Sequence, residues 1–242
     1  MNTLRMTEVA RDSLRSSPVT RRLFPSAFGG VAVEPSSRLC LEGAARSGNT
    51  FSSLMIHAAW PELKLGHHTH CLSNIREAVR YGVPTIVLFR SPKDCVPSSM
   101  LRQNMKFGQN DERHLMRALV RFIRIYSYAL EKIDDIYLID FKDMTAAPEK
   151  LLFLASEQLD ALYVLTEEEA KGAVERARAA SPRMAQQDNG AEKAVWGGFT
   201  PDERREEAKL KVRELLETKM AAELSEAMEI FERCMQKKHR LA

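Results

Sequence analysis

Short apolar segments alternate with longer amphipathic segments along most of the chain. Four segments have the character of strands: Arg38–Glu42, Glu62–Leu65, Thr85–Phe89 and Ile136–Asp140. Helical patterns fill the intervals at about Asn49–Trp60, at Leu72–Gly82 with Ser73 as the N-cap, at Glu112–Lys132, and almost everywhere after Pro148. Strands that alternate with helices predict an α/β fold in three layers, with a central parallel sheet covered by helices on both faces.

The 242 residues suffice for one large α/β domain. We divide it into an N-terminal extension (residues 1–35), a core (36–165) and a helical C-terminal part (166–242). The extension is rich in arginine and serine and faintly resembles an organellar transit peptide. Glu8 and Asp12 argue against that interpretation, so we expect an N-terminal helix instead.

The net charge is +3, and residues 1–50, with seven arginines against four acids, account for the whole excess. Such a mild excess suits a small anionic ligand and is too weak to indicate nucleic-acid binding. The four cysteines form no C-x-x-C pair, which predicts reduced thiols in a cytoplasmic protein. No apolar run approaches the ~18 residues of a membrane span, so none is predicted.

The segment "GAARSGNT" (Gly43–Thr50) has the outline of a phosphate-binding loop. Nucleotide hydrolases use G-x-x-x-x-G-K-[ST], in which backbone amides cradle the phosphates and the lysine reaches the β- and γ-phosphates. Here Asn49 stands in the lysine position, and Arg46 supplies a cation three residues earlier. Small residues and a helix N-terminus would favour an anion at this loop. A packed strand-to-helix turn is the alternative interpretation.

The third strand ends in Arg90, and Ser98 follows eight residues later. A charge at the end of an apolar strand is costly unless it has a partner in a cleft. The next helix begins either at a capping box of Ser91 and Asp94, which would enclose Pro97, or nearer Asp94. In both cases Arg90 and Ser98 could converge on one anion, although an Arg90–Asp94 salt bridge is also possible.

Together the two motifs resemble the cofactor signature of sulfotransferases that use 3′-phosphoadenosine 5′-phosphosulfate (PAPS). The resemblance extends from about Arg38 to Ser99 and is weaker beyond. It implies a P-loop-like fold, with PAPS as the co-substrate and no metal. It assigns the 5′-phosphosulfate to Arg46, Ser47, Gly48, Asn49 and Thr50, and the 3′-phosphate to Arg90 and Ser98. The adenine-stacking aromatic is left open between Trp60 and Trp196.

Three histidines, His67, His68 and His70, follow the second strand. Adjacent histidines cannot easily face one ion, and no Cys, Asp or Glu completes a ligand set, so we predict no metal. In the family that the motifs resemble, a histidine here removes the acceptor proton, and the spacing from Arg90 points to His68, with His67 second. Neutral imidazole suits that task. Surface histidines without a role are the alternative.

The resemblance therefore implies sulfuryl transfer from PAPS to a hydroxyl, or as second choice an amine. The acceptor would be a small molecule, carbohydrate or lipid, and Arg46 would assist departure of the phosphate. Two rivals remain. A P-loop kinase using ATP would employ Asp140, at the end of the fourth strand, to hold magnesium. A non-catalytic nucleotide-binding protein would need Arg90 and Ser98 but no base.

Overall fold

The computed structural model describes residues 3–15, 17, 19–20, 30–102, 111–180 and 203–241. At its centre four parallel strands form one sheet: β1 (Leu39–Gly43), β2 (Leu65–His67), β3 (Thr85–Phe89) and β4 (Tyr137–Asp140). Their order across the sheet is β2-β1-β3-β4. The predicted α/β class, with a central parallel sheet between layers of helices, is confirmed.

The helices follow the predicted alternation with the strands. They are α1 (Thr3–Arg15), α2 (Asn49–Ala59), α3 (Leu72–Tyr81), α4 (Pro92–Arg102), α5 (Asp111–Glu131), α6 (Phe141–Ala146), α7 (Pro148–Glu157), α8 (residues 167–180), α9 (Glu203–Lys219) and α10 (Ala221–Lys237). A 3-10 turn covers Ala161–Tyr163. The described part of the chain after Pro148 is mostly helical, as expected.

The two faces of the sheet are covered by different helices. From β1 the chain passes to β2, and it then crosses β1 to reach β3 on the other side. Right-handed crossovers in opposite directions place α2 and α3 on opposite faces. Accordingly α2 shares a core cluster with α7 and α8, whereas α3 shares one with α5, α9 and α10. The reversal creates a crevice at the carboxyl ends of β1 and β3, where such sheets bind ligands.

Two predicted boundaries near the second strand are wrong. The strand is Leu65–His67, not Glu62–Leu65, because its register is set by pairing with β1, where Leu39 faces Leu65 and Leu41 faces His67. His67 is therefore part of the strand, not of the loop after it. Helix α3 begins after Cys71, not Ser73; the first turn is closed by the Asn74 amide on the Cys71 carbonyl at 3.2 Å.

Helix α4 begins at Pro92 and encloses Pro97, so the start nearer Asp94 is wrong. A proline inside a helix leaves the carbonyl four residues earlier without its usual amide donor. Here Arg213 of α9 fills the gap, because its Nε donates to the Lys93 carbonyl at 3.1 Å while its Nη2 pairs with Asp94 at 2.9 Å. A tertiary contact thus supports a helix that the local sequence disfavours.

The N-terminal segment forms the expected helix, α1, which packs along α5, and Leu4 and Val9 lie against the main core cluster. All four cysteines are buried, and none of them forms a disulfide. Within the ranges described, no helix is both long and apolar enough to cross a bilayer. Of the two candidate stacking aromatics, Trp60 is 7% exposed and packs edge-on to Tyr163 in the core, which makes it unsuitable. Trp196 lies outside the described residues.

Candidate functional site

Backbone strain is concentrated at the carboxyl edge of the sheet. Within the described residues, the non-glycine residues with positive φ are Arg46 (71°), His68 (62°) and His70 (48°). All three were singled out as site residues or as their neighbours from the sequence. Left-handed backbone disfavours residues with a Cβ and persists where the surroundings enforce it, typically at functional sites.

The loop after β1 depends on two glycines. A Cβ at Gly43 would lie 2.2 Å from the Leu88 carbonyl oxygen, so only glycine allows β1 and β3 to approach this closely. Gly48 has φ of 100° and is the N-cap of α2, and a Cβ there would lie 2.5 Å from the Met144 side chain. The loop therefore leads directly into the N-terminus of α2, where the helix dipole favours an anion.

Tyr126 supports the loop from below, a role that the sequence did not reveal. Its buried hydroxyl accepts a hydrogen bond from the Ala44 amide at 2.9 Å and donates to the Leu88 carbonyl at 2.8 Å. Ser47 Oγ lies 3.3 Å from the same oxygen. Burial raises the pKa of Tyr126 well above its ordinary value, so the hydroxyl keeps its proton and can bridge β3 and the loop.

Asn49 and Ser47 are buried rather than presented to a ligand. The Asn49 side-chain amide donates to the Ala44 carbonyl at 3.1 Å and to the Gly43 carbonyl at 3.4 Å, and the residue is 2% exposed. In the position of the hydrolase lysine, this protein thus has a side chain that holds the loop itself together. The Ser47 backbone amide also donates within the loop, to the Ala44 carbonyl at 3.2 Å, so any contribution of this pair to anion binding would come from the Asn49 backbone amide.

The loop predicted to bind the 5′-phosphosulfate is hydrogen-bonded to a residue predicted to bind the 3′-phosphate. Arg46 Nε donates to Ser98 Oγ at 2.9 Å, and Ser98 is 2% exposed. The bond joins the loop after β1 to α4, which follows β3. Two segments separated by about fifty residues in sequence are therefore neighbours at the crevice.

Arg90 is held by an aromatic ring. Its guanidinium carbon lies 4.3 Å from the ring centroid of Phe141, the first residue after β4, a cation–π geometry. The salt bridge to Asp94 considered from the sequence is wrong, because Asp94 pairs with Arg213. The ring positions the guanidinium and leaves its positive charge in place.

His68 connects the histidine loop (His68–His70) to the loop after β1 (Gly43–Thr50). Its Nε2 lies 2.9 Å from Thr50 Oγ1, and its Nδ1 lies 2.6 Å from His67 Nδ1. Burial, with His57 and His70 nearby, lowers the pKa of His67 to about 4, so this ring is neutral at neutral pH. In one consistent assignment His68 Nδ1–H donates to His67, and the lone pair of His68 Nε2 accepts from the Thr50 hydroxyl. Nε2 can then accept another proton once the Thr50 hydroxyl turns away.

His70 is oriented by contacts at the end of β1. Its Nδ1–H donates to the Gly43 carbonyl at 2.9 Å, so the neutral ring carries its lone pair on Nε2. Glu42, fully buried, accepts from the His70 amide at 3.1 Å and from both the amide and the hydroxyl of Thr69 at 2.9 and 2.7 Å. Glu42 is thus committed to positioning the histidine loop and does not fit the role of a base.

No group of three or more metal-ligating side chains that could hold an ion is found among the described residues. Asp140, the magnesium ligand of the kinase alternative, is 4% exposed and caps α6 through the Lys142 amide at 3.3 Å. Burial raises its pKa, and Lys238 lies 3.8 Å away. Its surroundings are those of a structural acid.

A cavity of about 370 Å³ adjoins the loop. Ala44, Ala45, Thr69 and His70 line it on the side of the loops, and residues of α4 and α5 form the rest of its wall. Its volume falls within the range of small-molecule sites.

No family model matches this chain, and no curated protein matches it either. The roles of the site residues therefore stay predictions that rest on the motifs and on the geometry described above.

We predict that Tyr126→Phe destabilises the protein and loosens the phosphate loop. The change leaves the buried Ala44 amide and Leu88 carbonyl without their partner, which costs roughly 1–3 kcal/mol of unfolding free energy. Chemical denaturation should measure this loss, and calorimetry should show weaker binding of the nucleotide that the sequence motifs predict. Tyr128→Phe, which removes a half-buried hydroxyl from the same helix, is the control and should change neither quantity appreciably.

We also predict that His67 makes the protein less stable in mild acid. Its pKa is about 4 in the folded protein, against the ordinary histidine value of 6.5, so the unfolded chain takes up the proton first as the pH falls. Stability should decline between about pH 6.5 and pH 4. In His67→Asn, whose side-chain oxygen can still accept from His68, thermal melting should show a shallower decline. An equally steep decline would contradict the pKa assignment.

Proposed function

We propose that the protein transfers a sulfuryl group from PAPS to a hydroxyl acceptor, with an amine as the second choice. The Arg46–Ser98 hydrogen bond carries the proposal. The 3′- and 5′-phosphates of one ribose lie close together, so groups that hold them must be neighbours. Arg46 belongs to the residues that would hold the 5′-phosphate, and Ser98 to those that would hold the 3′-phosphate. Arg90 directly follows β3, the strand next to β1.

Each residue has a role in this proposal that its surroundings support. When bound, PAPS would supply the sulfuryl group, whose bond to the acceptor oxygen forms as its bond to the bridging phosphate oxygen breaks. Arg46 and the loop amides would stabilise the charge developing on that bridging oxygen. Thr50 would turn its hydroxyl from His68 to the phosphosulfate, which would free His68 Nε2, and Arg90 with Ser98 would hold the 3′-phosphate. His68 Nε2 would take the acceptor proton.

The geometry favours this proposal over a kinase using ATP. Catalysis at β- and γ-phosphates relies on a loop lysine and magnesium. Asn49 turns back onto the loop carbonyls, and Asp140 caps a helix. A nucleotide-binding protein without catalysis would not need histidine nitrogens beside the loop, whereas His68 contacts Thr50.

We predict that the protein prefers a 3′-phosphorylated nucleotide. Hydrogen bonds to charged groups contribute roughly 1.5–3 kcal/mol each, so adenosine 3′,5′-bisphosphate should bind at least about tenfold tighter than AMP. Arg90→Gln should remove most of that difference, and Arg80→Gln, at the exposed end of α3, should retain it. Titration calorimetry of the two nucleotides with the three proteins measures all six affinities.

Equal affinities of the wild-type protein for the two nucleotides would overturn the assignment of Arg90 and Ser98. The same titrations in excess EDTA test the kinase alternative, because the proposed site supplies its own cations and should bind unchanged. ATP turnover that requires magnesium would favour the kinase.

The base can be tested with alanine variants of the histidines. His68→Ala should lower turnover by roughly 10²–10⁴-fold, the usual contribution of a positioned general base, and should leave affinity for the bisphosphate nearly unchanged. The wild-type rate should fall at acidic pH, because a protonated imidazole cannot accept the proton. His67→Ala and His70→Ala should cost much less, and His57→Ala is the control outside the loop.

A large loss in His70→Ala, with normal turnover in His68→Ala, would move the base to His70, whose Nε2 is also oriented for proton transfer. Near-normal turnover in every variant would exclude the histidine loop as the base.

A further inference from the structure

Helix α5 carries a row of arginines on the side that meets α1. The row consists of Arg113, Arg117, Arg121 and Arg124, whose spacings of four, four and three residues place them on one face of the helix. Glu8 of α1 lies 2.9 Å from Arg117 Nε and 3.7 Å from Arg113 Nε. A buried carboxylate thus ties α1 to two members of the row.

A second acid, Asp12, pairs with the other two, at 2.7 Å from Arg124 Nη1 and 3.4 Å from Arg121 Nε. Both carboxylates are buried, at 0% and 3% exposure. Arg11 adds another guanidinium 3.3 Å from Glu8. Five arginines therefore surround two acids, and these ion pairs leave a local excess of positive charge.

Two members of the row, Arg117 and Arg121, also line the cavity beside the phosphate loop, together with His70 and His114. No acidic residue lines this cavity in the described part of the chain. The apolar part of its wall consists of Cys95, Val96, Met100, Phe122 and Ile125 along with alanines. The cavity thus combines apolar walls with a cationic side.

The cavity extends from the loops that follow β1 and β2 to α5. Ala44, Ala45 and His70 bound it on the loop side, and Arg117 and Arg121 bound it on the helix side. A ligand that fills it would have one part beside His70, two residues along the chain from the proposed base, and another beside the two guanidiniums. Arginine suits carboxylate, sulfate and phosphate oxygens.

We propose that this cavity holds the acceptor, and that the acceptor is a hydroxyl compound carrying its own anionic group. Arg117 and Arg121 bind that group and so direct a hydroxyl towards the loop. The inference rests on the proposed function, since it names the acceptor class of the same site. At about 370 Å³, the cavity suits an acceptor the size of an aryl-substituted monosaccharide.

The test compares para-nitrophenyl glucuronide with para-nitrophenyl glucoside, which differ by a carboxylate in place of a hydroxymethyl group. Titration calorimetry with the full chain, loaded with adenosine 3′,5′-bisphosphate, should give at least about tenfold tighter binding of the glucuronide. That preference should weaken as salt is raised, because the attraction is electrostatic, while glucoside binding stays constant.

Arg117→Gln and Arg121→Gln should each remove most of the preference. Arg113→Gln and Arg124→Gln are matched controls, because they share Glu8 and Asp12 with the cavity arginines but do not line the cavity. The controls should retain the preference. Each variant leaves its acid with at least one arginine, and thermal melting checks folding.

Equal binding of the two glycosides by the wild-type protein, or equal losses in cavity and control variants, would overturn the inference. If a variant does not fold, the salt dependence of the wild-type preference for the glucuronide tests the inference instead. Binding of the bisphosphate separates the two proposals. Tight bisphosphate binding without a glycoside preference rejects only the acceptor class, whereas a glycoside preference without bisphosphate binding rejects the sulfotransferase and keeps the anion site.

Discussion

At the end of β1 the buried carboxyl group of Glu42 accepts hydrogen bonds from Thr69, His70 and Asn74, at distances between 2.7 and 3.1 Å. Asn74 in turn accepts from the Val33 amide at 2.7 Å. One strand end thus fixes the histidine loop, the start of α3 and the chain that enters the sheet. Without Glu42 several buried donors would lack partners, each at a cost of roughly 1–3 kcal/mol. This network enforces the left-handed backbone of His70.

The loop after β1, Gly43–Thr50, depends on a similar constraint from the other side of that strand. Tyr126 joins the Ala44 amide to β3, and the Asn49 amide closes the loop from within. Between these fixed points Arg46 has a φ of 71° and reaches Ser98. A glycine would adopt that backbone at no cost. The presence of an arginine there supports a role for its side chain, because the surrounding contacts offset the strain.

The alternation of apolar and amphipathic segments was sufficient to predict the class of fold, because strands buried on both faces have a strong local signal. Thr85–Phe89 was predicted to the residue. The three-residue edge strand β2 was misplaced, because its extent is set by pairing with β1. The motifs located Arg46, Arg90 and Ser98, since spacing is visible in sequence. Tyr126 and the Lys93–Arg213 contact were missed, because partners about 80 to 120 residues apart leave no local pattern.

The small net charge of the chain conceals two different uses of arginine. On α5 the guanidiniums form ion pairs with two buried acids of α1, so part of their charge is neutralised and the pairs hold α1 against α5. At the crevice Ser98 contacts Arg46 and Phe141 contacts Arg90. A hydroxyl or an aromatic ring orients a guanidinium without neutralising it, which a carboxylate would do. A site that must attract an anion needs the second arrangement. The identity of these contacts, rather than the total charge, is therefore the stronger physical argument for the proposal that the crevice binds a phosphate-bearing ligand.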